Sequence, residues 1–396
     1  MTVMQKIHLI FRKILFLLIA IHVGGCANIL YRSIPIRDIA KAEGKYAVGT
    51  QNFYLVDSTR AMWFTDDITG ARELSVKVWY PAKDNQFAKK APYVDNQELL
   101  SEALSKSLGV PRALMKRADG IKCNSWLEGM PATGKFPILI YSHGHQSLKI
   151  ANTFQAEELA SNGYIVIAPD HTYDAAITVL SGERVIYSRS KLPNGNQRLS
   201  EQEVAHRVRS QLKIRTQDIH FLIDKIYQSP SFMKNVLNIA DTTKVGIFGH
   251  SFGGCTSLMA GYSDDRIDAV MGLDAFFLPL PKEVIAQDLN KPFAHIGQTK
   301  WGSSNNYMVM ETLGENNSKI STHFAVEGSK HYDYTDFSQF TRLTKKFGSG
   351  KISPKKIRSI MNTIMLDFFD SNLKTGDNFK PDTYEKMYDD VTHYVY

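Results

Sequence analysis

Five apolar runs, Pro137–Ser142, Tyr164–Ala168, Lys244–Gly249, Ala269–Leu273 and Phe293–Ile296, are continuous rather than alternating. A strand with one wet face alternates in polarity, whereas a strand covered on both faces does not, and such strands belong to parallel sheets. Ser321–Val326 reads as a further, weaker strand. Phe53–Val56 and Leu74–Tyr80 read as early hairpin-like strands, the second alternating through Leu74, Val76, Val78 and Tyr80 until Pro81 stops it. Helical stretches such as Asn152–Ser161 and Lys355–Asn372 complete the pattern. The order predicts an α/β fold, a mostly parallel sheet flanked by helices with right-handed crossovers.

One helix is marked at both ends. Ser200 and Glu203 form a capping box, Val204, Val208, Leu212, Ile219, Leu222, Ile223 and Ile226 recur at helical spacing, and Ser229-Pro230 ends the run. The stretch Leu180–Leu199 before it reads as a surface insertion. Of the 396 residues, 43% are hydrophobic and 22% charged, which excludes disorder, collagen and simple coiled coil. Removing Lys6, Arg12 and Lys13 with the first 25 residues lowers the net charge from +7 to +4, too little to argue for nucleic acid.

The chemistry centres on Gly249-His250-Ser251-Phe252-Gly253. This G-x-S-x-G follows a buried strand and precedes a helix-like run, Gly254–Tyr262, the setting that separates a nucleophile elbow from a chance match. The turn exposes the Ser251 hydroxyl above the carboxyl end of the sheet, and the amide of Phe252 can point at a developing oxyanion. The flanking glycines leave room for the neighbouring strand and helix.

A serine needs a base, and the base an orienting acid; in this arrangement they follow in the order acid, then histidine. His295 and His323 lie inside apolar strands and His393 in an expected C-terminal tail, whereas His331 sits in Glu327-Gly-Ser-Lys-His331, a loop directly after the last predicted strand. His331 is therefore the expected base. Asp264, Asp265 and Asp268 belong to a polar connection, and Asp288 is a further candidate. Asp274 ends an apolar strand at the same sheet edge as Ser251, where a carboxylate is costly unless paired. Asp274 is the expected acid. The second oxyanion donor should follow an earlier strand; Ser142-His143-Gly144-His145-Gln146 fits, with the amide of His145 as donor. His143 reads as a structural loop histidine, and His250 as the variable position of the elbow.

The N-terminus reads as an address. A basic lead-in, Lys6–Lys13, precedes the apolar run Ile14–Val23. Ten residues make a helix of only ~15 Å, about half a hydrocarbon core, so a signal peptide over 1–25 is expected rather than a span. Val23-Gly24-Gly25-Cys26 resembles a bacterial lipoprotein box, which would lipidate Cys26; an ordinary cleaved signal with an incidental cysteine is the alternative. Cys123 and Cys255 then remain as one pair at most, and no Cys/His cluster suggests zinc. Cys255 reads as a small buried filler. Neither a metal nor any other cofactor is expected.

Together these segments resemble the plasma-type platelet-activating-factor acetylhydrolases, calcium-independent serine phospholipases A2 of the α/β-hydrolase fold. The likeness runs from about Tyr46 to Phe337 and includes Lys45-Tyr-Ala-Val-Gly49, Val78-Trp-Tyr-Pro81, Leu104-Ser-Lys-Ser-Leu-Gly109, Leu159–Val166, Gly249–Gly254, Leu273-Asp-Ala-Phe276 and Gly328-Ser-Lys-His331. It implies nucleophile Ser251, acid Asp274, base His331 and oxyanion amides His145 and Phe252. Two departures stand out: the oxyanion loop reads Gly144-His145-Gln146 where the family has Gly-Leu-Gly, and Phe276 replaces the commoner Trp. The implied reaction releases a short or oxidised sn-2 acyl chain from a phospholipid. A general carboxylesterase or polyester-type hydrolase with the same triad, and a non-catalytic surface lipoprotein that keeps the fold for binding, are the rivals.

The expected organisation is a signal peptide (1–25), a tether (26–44) and one hydrolase domain (45–396), with a lid-like insertion near 95–130 and a helical insertion near 180–230. Within residues 99–117, Leu99, Leu100, Ala103, Leu104, Leu108, Leu114 and Met115 alternate with Lys106, Arg112, Lys116 and Arg117. That segment corresponds to the family's membrane-contacting helix and reads equally as an interfacial helix or as a lid packed on the core. With Ala27 rather than Asp after Cys26, a lipid anchor would place the chain at the outer membrane of a Gram-negative cell.

Overall fold

The computed structural model describes residues 36–84, 89–108, 120–192, 201–228, 233–302 and 305–396. The expected signal peptide, Cys26, most of the tether and residues 109–117 lie outside the described residues. So do Ser200 and the side chain of Glu203.

Among the described residues the strands are β1 (Ala47–Ala61), β2 (Ala71–Ala82), β3 (Lys90–Pro92), β4 (Lys122–Leu127), β5 (Phe136–Ser142) and β6 (Ile165–Asp170). They continue with β7 (Ile177–Leu180), β8 (Arg184–Tyr187), β9 (Ala240–His250), β10 (Ala269–Leu273), β11 (Phe293–Gln298), β12 (Ser321–Val326) and β13 (Val391–Val395). Eleven form one sheet in the order β13-β12-β11-β10-β9-β5-β6-β2-β1-β4-β3; β7 and β8 pair apart as a hairpin. From β12 across to β6 every neighbouring pair is parallel, and antiparallel pairs flank this block on either side.

Leaving single turns unlabelled, the helices are α1 (Gln97–Leu108), α2 (Thr153–Ser161), α3 (Glu201–Gln228), α4 (Phe252–Ser263), α5 (Asn305–Asn316) and α6 (Pro354–Asp370). Alternate residues of each central strand feed opposite cores. Leu139, Val166, Phe248 and Met271 pack with α2 and α6 on one face, while Ile140, Ile167, Ile247 and Val270 pack with α3, α4 and α5 on the other. Helix α6 shows why: Ile357, Ile360, Met361, Ile364, Met365 and Phe368 form one apolar stripe, each burial contributing about 1.5–3 kcal/mol. Ser353 caps it, accepting from the amide of Lys356 at 3.2 Å, and Pro354 opens the first turn.

One local expectation is revised, and three others gain detail. His393 lies in β13, paired antiparallel with β12, rather than in a tail. The insertion before α3 begins with the hairpin β7–β8. Leu100 and Ala103 of α1 are buried in the core, so this part of the 99–117 stripe packs as a lid does. Cys123 and Cys255 are both free and buried in the cores on opposite faces of the sheet, which separates them. No helix among the described residues is long and apolar enough to cross a membrane.

Candidate active site

Strand β9 ends at His250 and α4 begins at Phe252, leaving Ser251 to turn the chain with φ 56° and ψ −121°. Such a backbone costs about 1–3 kcal/mol and persists only where its surroundings over-determine it. Here they do. The Ser251 amide donates to the Leu273 carbonyl at 3.0 Å, and the Ser251 carbonyl accepts from Phe276 and Gly254 at 2.9 and 3.0 Å. Gly253 passes so close to β5 that a Cβ there would stand 1.9 Å from the Ser142 carbonyl oxygen. A Cβ on Gly144 would stand 3.3 Å from that of Ser251, so the loop after β5 lies against the serine.

Parallel register sets the acid. Gly249 pairs with Gly272 and His250 with Leu273, so Ser251 and Asp274 leave adjacent strands at the same sheet edge. Asp274 is fully buried, with φ 42°. Its Oδ1 accepts from the Gln298 amide at 3.0 Å, and its Oδ2 accepts from Gln298 Nε2 at 2.9 Å and His331 Nδ1 at 2.6 Å. A carboxylate only accepts, so the proton lies on Nδ1 and the Nε2 lone pair of His331 is left free. The His331 side chain is 31% exposed. Its carbonyl accepts from His250 Nε2 at 3.0 Å.

The other candidates are accounted for. His295 and His323 face each other in the core, Nδ1 to Nδ1 at 2.8 Å. Buried His143 donates to the Gly144 carbonyl at 2.7 Å and accepts from the His171 amide at 3.0 Å; burial holds its imidazole well below the ordinary range. Asp264 is bound to Arg266, Asp268 accepts from the Val245 amide, and Asp288 accepts from the amides of Asn290 and Ser318. His331 is thus joined to Asp274, which leaves the same sheet edge as Ser251, and its backbone is held by His250, the neighbour of Ser251. The amides of His145 and Phe252 find no acceptor among the described residues. No group of three or more His, Cys, Asp or Glu among the described residues could hold a metal ion.

The family model described as platelet-activating factor acetylhydrolase, isoform II, matches residues 32–390. The chain belongs to that family. As a platelet-activating factor acetylhydrolase family member it is a carboxylic ester hydrolase with a serine-esterase fold. Its similarity to the platelet-activating factor acetylhydrolase of Cavia porcellus is 26% identity, covering 89% of this chain and 82% of the relative. The Gallus gallus protein of the same name is 25% identical, covering 84% and 85%. The structure of a ferulic acid esterase from Streptomyces cinnamoneus superposes with a TM-score of 0.71 at 24% identity, covering 87% of this chain and 95% of that one, and shares the α/β-hydrolase fold.

Within this acetylhydrolase site several residues carry no sequence signal. Gln298, which makes two of the three hydrogen bonds to Asp274, is the polar end of an apolar strand and belongs to no motif. Trp301 stands edge-on to His331, ring centroids 5.0 Å apart at 88°. Phe276, where the family resemblance implies Trp, lies nearly parallel to that indole at 6.1 Å. His250 is more than the variable position of the elbow. Burial and the neighbouring His331 push its imidazole well below the ordinary range, and its Nε2–H tethers the loop that carries His331.

Proposed function

We propose that this chain hydrolyses the short or oxidised sn-2 acyl group of platelet-activating-factor-like phospholipids through an acyl-enzyme on Ser251. The observation that carries the reading is the 2.6 Å contact between His331 and buried Asp274, beside a serine held in a strained elbow. His331 Nε2 takes the Ser251 hydroxyl proton as Oγ bonds to the ester carbonyl carbon. The amides of His145 and Phe252 bind the oxyanion. Collapse breaks the bond to the lysophospholipid oxygen, which receives the proton from His331. Water then repeats the cycle, releasing the free acid and Ser251. Asp274 keeps the imidazole in its tautomer and balances the imidazolium charge.

The membrane part of the reading rests on the sequence: lipid on Cys26 would tether the enzyme to the outer membrane of a Gram-negative cell, where its substrate is already concentrated.

The test compares a phospholipid carrying an sn-2 acetyl group, one carrying two long acyl chains, and a simple soluble ester, for wild type and Ser251→Ala. Preference for the sn-2 acetyl lipid, abolished by Ser251→Ala, is expected. Faster turnover of the soluble ester alone would favour a general esterase. No turnover of any ester, and no adduct on Ser251 with an organophosphonate, would leave a binding module.

A further inference from the structure

Helix α3 carries a charge into the core beneath the elbow. Arg215 is fully buried, where an uncompensated guanidinium would be prohibitively costly. Each arm has a partner. Nη1 pairs with Asp174, itself fully buried. Nη2 donates to the Ser142 hydroxyl at 3.1 Å and to the His143 carbonyl. Nε donates to Thr256 Oγ1 at 2.9 Å, and the guanidinium carbon lies 4.9 Å from the centre of the Phe252 ring.

These contacts converge on the two segments that carry the oxyanion amides. On one side of His145, Arg215 holds the His143 carbonyl. On the other, the Asp174 carbonyl accepts from the Gln146 amide at 3.2 Å. The His145 peptide is bracketed by the two halves of one ion pair. At the elbow, the Thr256 hydroxyl that accepts from Arg215 donates in turn to the Phe252 carbonyl at 3.0 Å. Asp174 is steadied from behind by the Ser190 hydroxyl at 2.9 Å. One planar guanidinium therefore spans the loop after β5 and the first turn of α4, which a lysine, a point charge on a flexible stem, cannot do.

We propose that the buried Arg215–Asp174 pair sets the oxyanion site, fixing the His145 and Phe252 amides relative to each other before substrate arrives. This rests on the assignment of Ser251 as nucleophile. Arg215 touches no reacting atom; it is a positioning residue. Donors aimed in advance at developing charge act on the transition state more than on bound substrate, so loosening them lowers kcat and spares KM.

The experiment measures steady-state kinetics on a short-chain ester for Arg215→Lys, Thr256→Val and Ser251→Ala, with circular dichroism and thermal melts as the check on folding. Arg215→Lys should lose roughly 100-fold in kcat with KM within about threefold of wild type. Thr256→Val, which keeps the Arg215–Asp174 ion pair but removes the acceptor of Arg215 Nε and with it the link to Phe252, should lose roughly tenfold. Neither should move the acid limb of the pH profile, because the His331–Asp274 contact is untouched. Undiminished kcat in folded Arg215→Lys would overturn the proposal, as would a loss confined to KM or a displaced pH limb; if that variant does not fold, Thr256→Val decides by the same criteria. An inactive Ser251→Ala beside a fully active Thr256→Val fails the positioning role alone. An active Ser251→Ala fails the nucleophile assignment, and the positioning role with it.

Discussion

His331 Nδ1 donates to Asp274 Oδ2 at 2.6 Å, joining residues 57 positions apart in the chain. The acceptor is wholly buried and no Lys or Arg pairs with it among the described residues, so its burial is offset by the two Gln298 bonds and the imidazole. Replacing the carboxylate by an amide removes both the charge that stabilises the imidazolium and the acceptor that fixes the tautomer. Asp274→Asn should lower kcat about 10⁴-fold, measured by steady-state esterase assay. Asp264→Asn, whose carboxylate is engaged by Arg266, should stay within a fewfold of wild type. A more damaging Asp264 variant would displace Asp274 as the acid.

Gln298→Ala removes one of three hydrogen bonds to that carboxylate and leaves the backbone one in place. The Asp274 side chain gains freedom, and His331 with it. About a tenfold fall in kcat with little change in KM is expected. Unchanged kcat would show that the backbone donor and His331 suffice.

Buried neutral histidines make stability depend on pH. Burial pulls His323 down to about 4; the unfolded side chain titrates near 6.5. Between those values the unfolded chain binds the proton and the folded chain does not, so stability is full above pH 6.5 and falls as pH drops toward 4. For His323 this amounts to on the order of 3 kcal/mol. Asp336 and Asp170, raised by burial, act in the opposite sense, so the informative quantity is a difference. His323→Gln should show a shallower loss of stability than wild type in urea melts between pH 7 and 4.5. Equal slopes would mean that the pair with His295 accepts a proton in the folded state.

Attachment is separable from catalysis. If Cys26 is lipidated, Cys26→Ser should release or mislocalise the protein while turnover of a soluble short-chain ester stays near normal. Mass spectrometry of the mature N-terminus with cell fractionation checks it. An unmodified N-terminus elsewhere than Cys26, in soluble protein, would remove the anchor.

The parallel block, the elbow at Ser251, and the placing of Asp274 and His331 after their strands are all legible in the amino-acid sequence. Each is written in a short stretch of chain: continuous apolar runs mark strands buried on two faces, and a polar residue just past such a run marks the sheet edge. Phe53–Val56 is only the middle of β1, and β13 has no apolar run to mark it, because the extent of a flanking strand depends on the neighbour it pairs with. Gln298, Trp301, His250 and the Arg215–Asp174 pair carry no local signal. Their roles depend on partners brought together by the sheet order and by the path of α3, and so does the separation of Cys123 from Cys255. Hydrophobic periodicity is a property of neighbouring residues and survives in one dimension; a hydrogen bond between residues 41 or 57 positions apart exists only once the fold has closed the distance.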